Sequence, residues 1–417
     1  MKIAIIGGGV SGLVAAHVLH GRHDVTLFEA GARVGGHVNT VRVDTPGGSW
    51  DVDTGFIVHN DRNYPQFQRL LQQLGVATQP SEMSFGVSDP VGDFEYNGAS
   101  PNGLYAKRSH LVTPSFQRMV LDLVRFNREA RELLGTPAST WDPSLRDYLA
   151  ERRYSEAFVE RLIVPQAAAV WSADPQQMWS FPARFLIEFF DNHGMLGFRG
   201  RPRWRTVSGG SKTYVDAIVA RLGAERVRAA TPIEAVERFE EAVEVTPRGG
   251  APEPFDHVVI ATHADQALQM LRDPRERELE LLGAFPYQRN DVVLHTDRGL
   301  LPRRRRAWAS WNYHLGERET GRPTVTYHMN RLQSLDADVE LLVTLNRSDE
   351  IRREHVIAEF AYDHPVFTRA GRAAQRRWAE IDGFDRTSYC GAHWGWGFHE
   401  DGVASALRAC KPLGGEL

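Results

Sequence analysis

Residues 3–6 are continuously apolar, glycine interrupts the run, and residues 13–19 resume it. A short apolar run bounded by glycine reads as a strand, and the longer one behind the turn as a helix. Residues 24–28 repeat the strand pattern and end at Glu29. Residues 38–43 and 49–53 flank Thr45-Pro46-Gly47-Gly48 and predict a short hairpin, and residues 64–74, closed by Gly75, predict a helix. From residue 113 to about 190 the pattern is mostly helical, with starts at Pro114-Ser115 and Asp142-Pro143-Ser144. A helix over 213–222, a strand near Val227, the segment 231–236 and a buried strand over 257–262 come next. Strands recur at 291–296, 307–313, 324–329 and 341–346, and this spacing predicts an antiparallel sheet. The last stretch holds a strand ending in Gly391, a glycine and aromatic loop, and a helix starting at Glu400-Asp401-Gly402. No repeat or low-complexity tract breaks this order.

The first strand runs into Gly7-x-Gly9-x-x-Gly12 and then into the apolar helix. Gly7 permits a tight turn, Gly9 lets the backbone approach a pyrophosphate, and Gly12 lets helix and strand pack closely. The pyrophosphate then meets free N–H groups and the positive end of the helix dipole. Glu29, at the end of the second strand, is placed to accept the ribose hydroxyls. A dinucleotide follows from strand, helix and acid in this order, with NAD and FAD both open at this point.

The continuation Glu29-Ala30-Gly31-Ala32-Arg33-Val34-Gly35-Gly36 resembles the extended motif of flavoproteins of the amine oxidase and phytoene desaturase superfamily. The resemblance implies non-covalent FAD on an α/β fold: a Rossmann-type domain (1–75, 205–270, 383–417) and an inserted α+β substrate domain with an antiparallel sheet (76–204, 271–382). It implies FAD contacts from Gly7, Gly9, Val10, Ser11, Gly12, Glu29, Ala30, Arg33, Gly35, Gly36 and His37. Further contacts are implied for Gly55, Phe56, Ile57, Ile233, Gly391, Glu400, Asp401, Gly402 and Val403. His37 stands where the family usually has arginine, which leaves Arg33 more of the phosphate contact.

Composition narrows the setting. The 417 residues, 42% of them hydrophobic, can fill two lobes. The net charge of −4 gives no attraction to nucleic acid, and Cys390 and Cys410 are too few for a disulfide scaffold. The first apolar run is already the nucleotide-binding strand, and no uncharged apolar run is long enough to span a bilayer. A cytoplasmic protein is expected, with peripheral membrane contact open and no metal site.

Lysine occurs only at positions 2, 107, 212 and 411. In the resembled amine oxidases a lysine occupies the strand that here reads Asn290-Asp291-Val292-Val293-Leu294-His295, and an aromatic pair frames the amine. Here Asn290 replaces the lysine and only Phe398 falls on a cage position, which disfavours simple amine oxidation. The strings 53–60, Leu294-His295-Thr296-Asp297, 308–313 and 397–402 resemble instead a bacterial group related to the methyl fatty acid desaturase of furan fatty acid biosynthesis. They also resemble the N-terminal domain of plant cyclopropane fatty acid synthases. That resemblance implies oxidation of a methyl-branched monounsaturated acyl chain to a diene, with O2 reoxidising the flavin.

Allylic hydride transfer needs a base, and His399, Glu400, His59 and His295 are candidates. For Glu400 a helix-start carboxylate bonding its own backbone or the flavin is the favoured reading. For His59 a structural hydrogen-bonding role is favoured. Asn290, which cannot take a proton, is assigned a positioning role toward the flavin or a bridging water. Phe398, Trp311, Phe185 and Phe189 are candidate substrate walls. The apolar run 178–190, followed by Arg199, Arg201, Arg203 and Arg205, reads as an acyl-tunnel helix near its mouth or, more readily, as a core helix and a solvated basic loop. Strand alternation places Trp308, Ser310 and Asn312 on one face and Trp311 and Tyr313 on the other. Alternatives left open are a double-bond isomerase, a carotenoid or porphyrinogen substrate, and an FAD-holding partner of a lipid methyltransferase.

Overall fold

The computed structural model describes residues 1–137, 143–172, 174–197, 200–316 and 321–417, so Asp142 and Arg199 lie outside the described residues. Strand β1 (Lys2–Ile6) is the middle of a five-stranded parallel sheet, flanked by Asp24–Phe28 and Val227–Arg228 on one side and by His257–Ile260 and Thr387–Tyr389 on the other. Both faces are covered, which is why these strands read as unbroken apolar runs. Helix α1 (Val10–Leu19) is buried from Ser11 through Ala16 and again at Leu19. A Cβ on Gly12 would stand 1.8 Å from the Gly7 carbonyl oxygen, so only glycine lets α1 lie this close to the turn. The hairpin pairs Thr40–Thr45 with Gly48–Asp53, and helix α2 (Pro65–Leu74) ends at Gly75 with φ of +72°.

Helices α3 (Pro114–Leu134) and α4 (Ala183–Asn192) lead the helical stretch and pack their apolar faces into one core with the second sheet. That sheet has seven strands, with β3 (Val356–Pro365) at one edge and β2 (Tyr287–His295) next to it. Every neighbouring pair in it is antiparallel except Trp311–His314 with Phe85–Asp89, which is parallel. The antiparallel expectation therefore needs correction at one pair. The hairpin Phe85–Asp89 and Phe94–Asn97 and the strand β3 were not anticipated. Trp308 precedes the strand that begins at Trp311; it packs with Leu301 and Leu342 and donates its indole N–H to the Pro302 carbonyl at 2.7 Å. Its placement by strand alternation fails for that reason.

Helix α5 (His399–Cys410) returns to lie along α1. Ser11 Oγ donates to the Gly402 carbonyl at 3.0 Å, and a Cβ on Gly402 would meet Val10 Cγ1 at 2.7 Å. Among the described residues no helix is long and apolar enough to cross a membrane.

Candidate active site

A cavity of about 1330 Å³ runs from the glycine turn, past the end of β1, into the helical lobe. Its nucleotide end is lined by Gly7, Gly9, Val10, Ser11, Glu29, Ala30, Gly35, Gly36 and His37, with Ile233 and Arg248 beyond. Gly9 caps α1 without a side chain, and nothing lies within 4 Å of where its Cβ would be. The first N–H groups of α1 thus face open space, the cradle a pyrophosphate requires. Both Glu29 oxygens hold the loop around it, accepting from Gly8 N and Gly31 N at 2.7 Å each. Arg33 donates to the Val38 and Gly36 carbonyls at 2.6 and 3.1 Å and does not line the cavity, so it braces the loop. Gly12 also lies behind the wall, against Gly7.

Further in, Gly55, Phe56, Ile57, Gly391, Phe398 and His399 form the walls together with four histidines and tyrosines absent from the sequence reading: His263, His364, Tyr287 and Tyr362. His37 faces Tyr362 and His364 with ring centroids 5.1 and 5.2 Å away, and His263 stacks on Tyr287 at 4.3 Å. Burial holds the His364 imidazole at about 4 and those of His393 and His399 at about 3, so all three are neutral at physiological pH. Burial likewise lowers His37 well below its ordinary value, and His37 Nε2 has no hydrogen-bond partner among the described residues.

The catalytic candidates divide. His399 lines the cavity, yet its ring is stacked on Phe56 at 3.6 Å and its Nε2 bonds the Tyr214 hydroxyl at 2.8 Å, which commits the ring structurally. Glu400 accepts from Gln66 N and Phe67 N at 3.0 and 2.9 Å, capping α2, and lies outside the cavity lining. Burial raises its carboxyl to about 7. It contacts neither its own helix backbone nor the cavity, which corrects both readings of it. His59 sits behind the wall against Tyr64 and Phe67, with neither ring nitrogen partnered among the described residues; burial takes it down to about 4. Buried His295 bonds Thr344 Oγ1 at 2.7 Å, away from the cavity.

Asn290 is fully buried and turned away from the cavity lining, with its Nδ2 2.9 Å from His364 Nδ1. Its expected contact with flavin or water is corrected accordingly: His364 stands in between. Asp401 caps its own helix by accepting from Phe398 N at 2.9 Å, and Gly402 and Val403 pack on α1, so none of the three lines the cavity.

The far limb of the cavity is mainly apolar, with Ser84, Asn127 and Gln166 interspersed. Met83, Phe85, Leu104, Met119, Val120, Leu123, Leu162 and Val170 line it, with Trp311 and Phe189 nearer the middle. Phe398 stacks on Phe189 at 5.2 Å. Phe185 does not line the cavity; it packs behind it against Trp171, Phe181 and Phe367. Of the basic series, Arg201 lines the cavity, while Arg205 bonds Thr78 and Arg203 is held to Asp61 through its backbone. None of the four lysines lines it.

A glycine-built anion cradle joined to a sheet-floored apolar pocket defines an FAD-dependent oxidoreductase of the α/β type. Residues 10–389 match the flavin-containing amine oxidoreductase family, and the chain belongs to it. Protoporphyrinogen oxidase 2, chloroplastic/mitochondrial, of Arabidopsis thaliana is 28% identical over 198 residues, which are 45% of this chain and only 36% of that protein's length. Two solved structures share the fold over 99% of this chain. Cyclohexylamine oxidase from Brevibacterium oxydans IH-35A has a TM-score of 0.70 at 17% identity over 99% of its chain. A CLA-producing fatty acid isomerase from P. acnes has a TM-score of 0.67 at 16% identity over 98% of its chain.

FAD is the cofactor, and when bound it supplies two-electron oxidation by accepting a hydride equivalent. The chain supplies aromatic walls, a mainly apolar limb and the neutral imidazoles of His364, His393 and His399 around the middle of the cavity.

Proposed function

We propose that the substrate is a lipid acyl chain, a methyl-branched monounsaturated one that is desaturated to a diene. The observation that supports this reading is the apolar limb, whose eight named walls carry no charge. An extended hydrocarbon matches such a limb, because each buried CH2 contributes about 0.8 kcal/mol. A hydride and a proton leave the chain, and O2 takes up two electrons and two protons to give hydrogen peroxide. A porphyrinogen substrate fits less well: it carries several carboxylates, while Arg201 and Arg248 are the only cationic side chains among the described lining residues and Arg248 sits at the nucleotide end.

The mouth of the limb supports entry from a bilayer. Val124 of α3 lines the cavity and is also 53% exposed, and it shares the outer face of the helix with Leu121 at 66%. Leu111 and Val112, just before α3, are 54% and 82% exposed, and Arg118 and Arg128 flank the patch, paired along the helix with Asp122 and Glu132. An apolar strip with a charged rim suits shallow insertion at a membrane surface. This face, rather than the run after residue 190, is the proposed membrane contact.

Incubation under air with vesicles of anionic phospholipid carrying such chains tests the reading. Oxygen uptake matched by conjugated diene supports desaturation. A shifted double bond without oxygen uptake supports the second reading, an isomerase, which the fold shared with the fatty acid isomerase brings forward. Unaltered lipid with no oxygen uptake contradicts a lipid substrate and returns weight to a structural flavin beside a lipid methyltransferase.

A further inference from the structure

The orientation of three side-chain amides is forced by backbone groups, and together they fix the proton on one histidine. Asp291 N, which can only donate, gives a hydrogen bond to Asn346 Oδ1 at 3.0 Å, and the Pro323 carbonyl, which can only accept, takes one from Asn346 Nδ2 at 2.9 Å. The Asn346 amide is therefore oriented without ambiguity. Its second N–H points at Asn290, 2.8 Å away, so the atom facing it is Asn290 Oδ1. Gln288 agrees: its Oε1 accepts from Asp174 N, its Nε2 donates to the Ser172 carbonyl, and the same Nε2 reaches Asn290 Oδ1 at 3.3 Å. Asn290 Nδ2 also donates to the Gln288 carbonyl at 3.3 Å.

With Oδ1 fixed on one side, Asn290 Nδ2 faces His364 Nδ1 at 2.9 Å. An amide N–H cannot accept, so Nδ1 is the acceptor and the imidazole proton of the neutral ring lies on Nε2. His364 lines the cavity beside His37 and Tyr362, on the side of the glycine pair, whereas Asn290 is sealed behind it. Burial keeps the ring neutral above about pH 4, so the donor is present without a charge.

We propose that His364 offers its Nε2–H as a fixed hydrogen-bond donor to the isoalloxazine ring of FAD, and that Asn290 is the positioning residue that sets this tautomer. A ring that gains electron density on reduction accepts a stronger hydrogen bond in the reduced state, so the donor raises the flavin potential. His364 then acts as a donor and not as the base. The inference rests on FAD binding and needs no assumption about the substrate.

The test uses purified holoenzyme without substrate. In His364→Leu the midpoint potential falls, and binding of reduced FAD weakens about tenfold relative to oxidised FAD, the loss expected for one hydrogen bond to a charged acceptor. His364→Gln, which keeps a side-chain N–H donor, restores most of the potential. Nitrogen-15 spectra of labelled histidine report the tautomer directly: His364 shows Nε2–H in the parent protein and shifts away from it in Asn290→Asp, where a carboxylate accepts from Nδ1. An unchanged potential in His364→Leu overturns the donor role. An Nδ1–H tautomer in the parent protein overturns the role of Asn290.

Discussion

The two ends of the cavity are made of different materials. The nucleotide end is made of backbone: Gly9, Gly35 and Gly36 open a path, and the N–H groups of α1 supply the positive end. The apolar end is made of side chains from elements far apart in sequence, Met83 and Leu104 from one region, Leu123 from α3, Val170 and Trp311 from others. Backbone sites demand particular residues at particular spacings, whereas an apolar wall accepts any hydrophobe that fills the space. Specific chemistry is therefore concentrated at one end and tolerance at the other.

The largest expected effect breaks the first end only. Gly9→Glu sends a carboxylate into the open space meant for pyrophosphate, so FAD binding is lost while the fold persists; flavin absorbance and circular dichroism read the two separately. Gly12→Ala, with its Cβ 1.8 Å from the Gly7 oxygen, disrupts the turn itself and lowers the melting temperature as well. Leu123→Glu breaks the other end: a charge in the limb weakens acyl binding about a hundredfold or more, and the FAD dissociation constant stays the same.

Acid sharpens the comparison next. Nine histidines, at positions 59, 110, 193, 257, 295, 314, 364, 393 and 399, are held at about 3 to 4 by removal from water, eight of them buried and His364 half-buried on the cavity wall. Each takes up a proton near pH 6.5 when unfolded, so each contributes stability that is lost as pH falls from about 6.5 toward 4. Four carboxyls act oppositely: Asp53, Asp382 and Glu400 rise to about 7 and Asp401 to about 6, and they favour folding as pH falls through that range. Nine outweigh four, so the melting temperature falls between pH 6.5 and 4; a flat or rising curve contradicts this balance. The smallest effect belongs to Glu400→Gln, which weakens the α2 cap by about 1 kcal/mol and leaves the flavin spectrum unchanged.

Legibility followed the same division. The strand, glycine turn and helix around Gly7-x-Gly9-x-x-Gly12 stand in sequence as they stand in space. Asn290 was recognisable on its strand, but its partner His364 belongs to β3, which pairs Asn290 with Tyr362 across 72 positions of sequence. That strand alternates half-buried residues with exposed ones over its first six positions, but the exposed face carries Ile357 and Ala361 beside Glu359, so no alternation of polar and apolar residues marked it. Glu400 likewise reads as a residue serving its own helix, whereas it serves α2, 334 positions away. Asp53 stood next to a glycine motif, yet its carboxylate holds Ser211 N and Oγ from the returning segment. Polar contacts between distant segments leave no local period to detect.

The central claim joins the flavin to the apolar limb, and an anaerobic mixing experiment tests it most directly. Purified yellow protein is combined without oxygen with phospholipid bearing methyl-branched monounsaturated chains, and the oxidised flavin band is followed while the acyl products are analysed. Bleaching of the band with an equivalent of conjugated diene is the expected result. A full band with unaltered lipid, in protein whose FAD occupancy is complete, contradicts the claim that this limb delivers an acyl chain to the flavin.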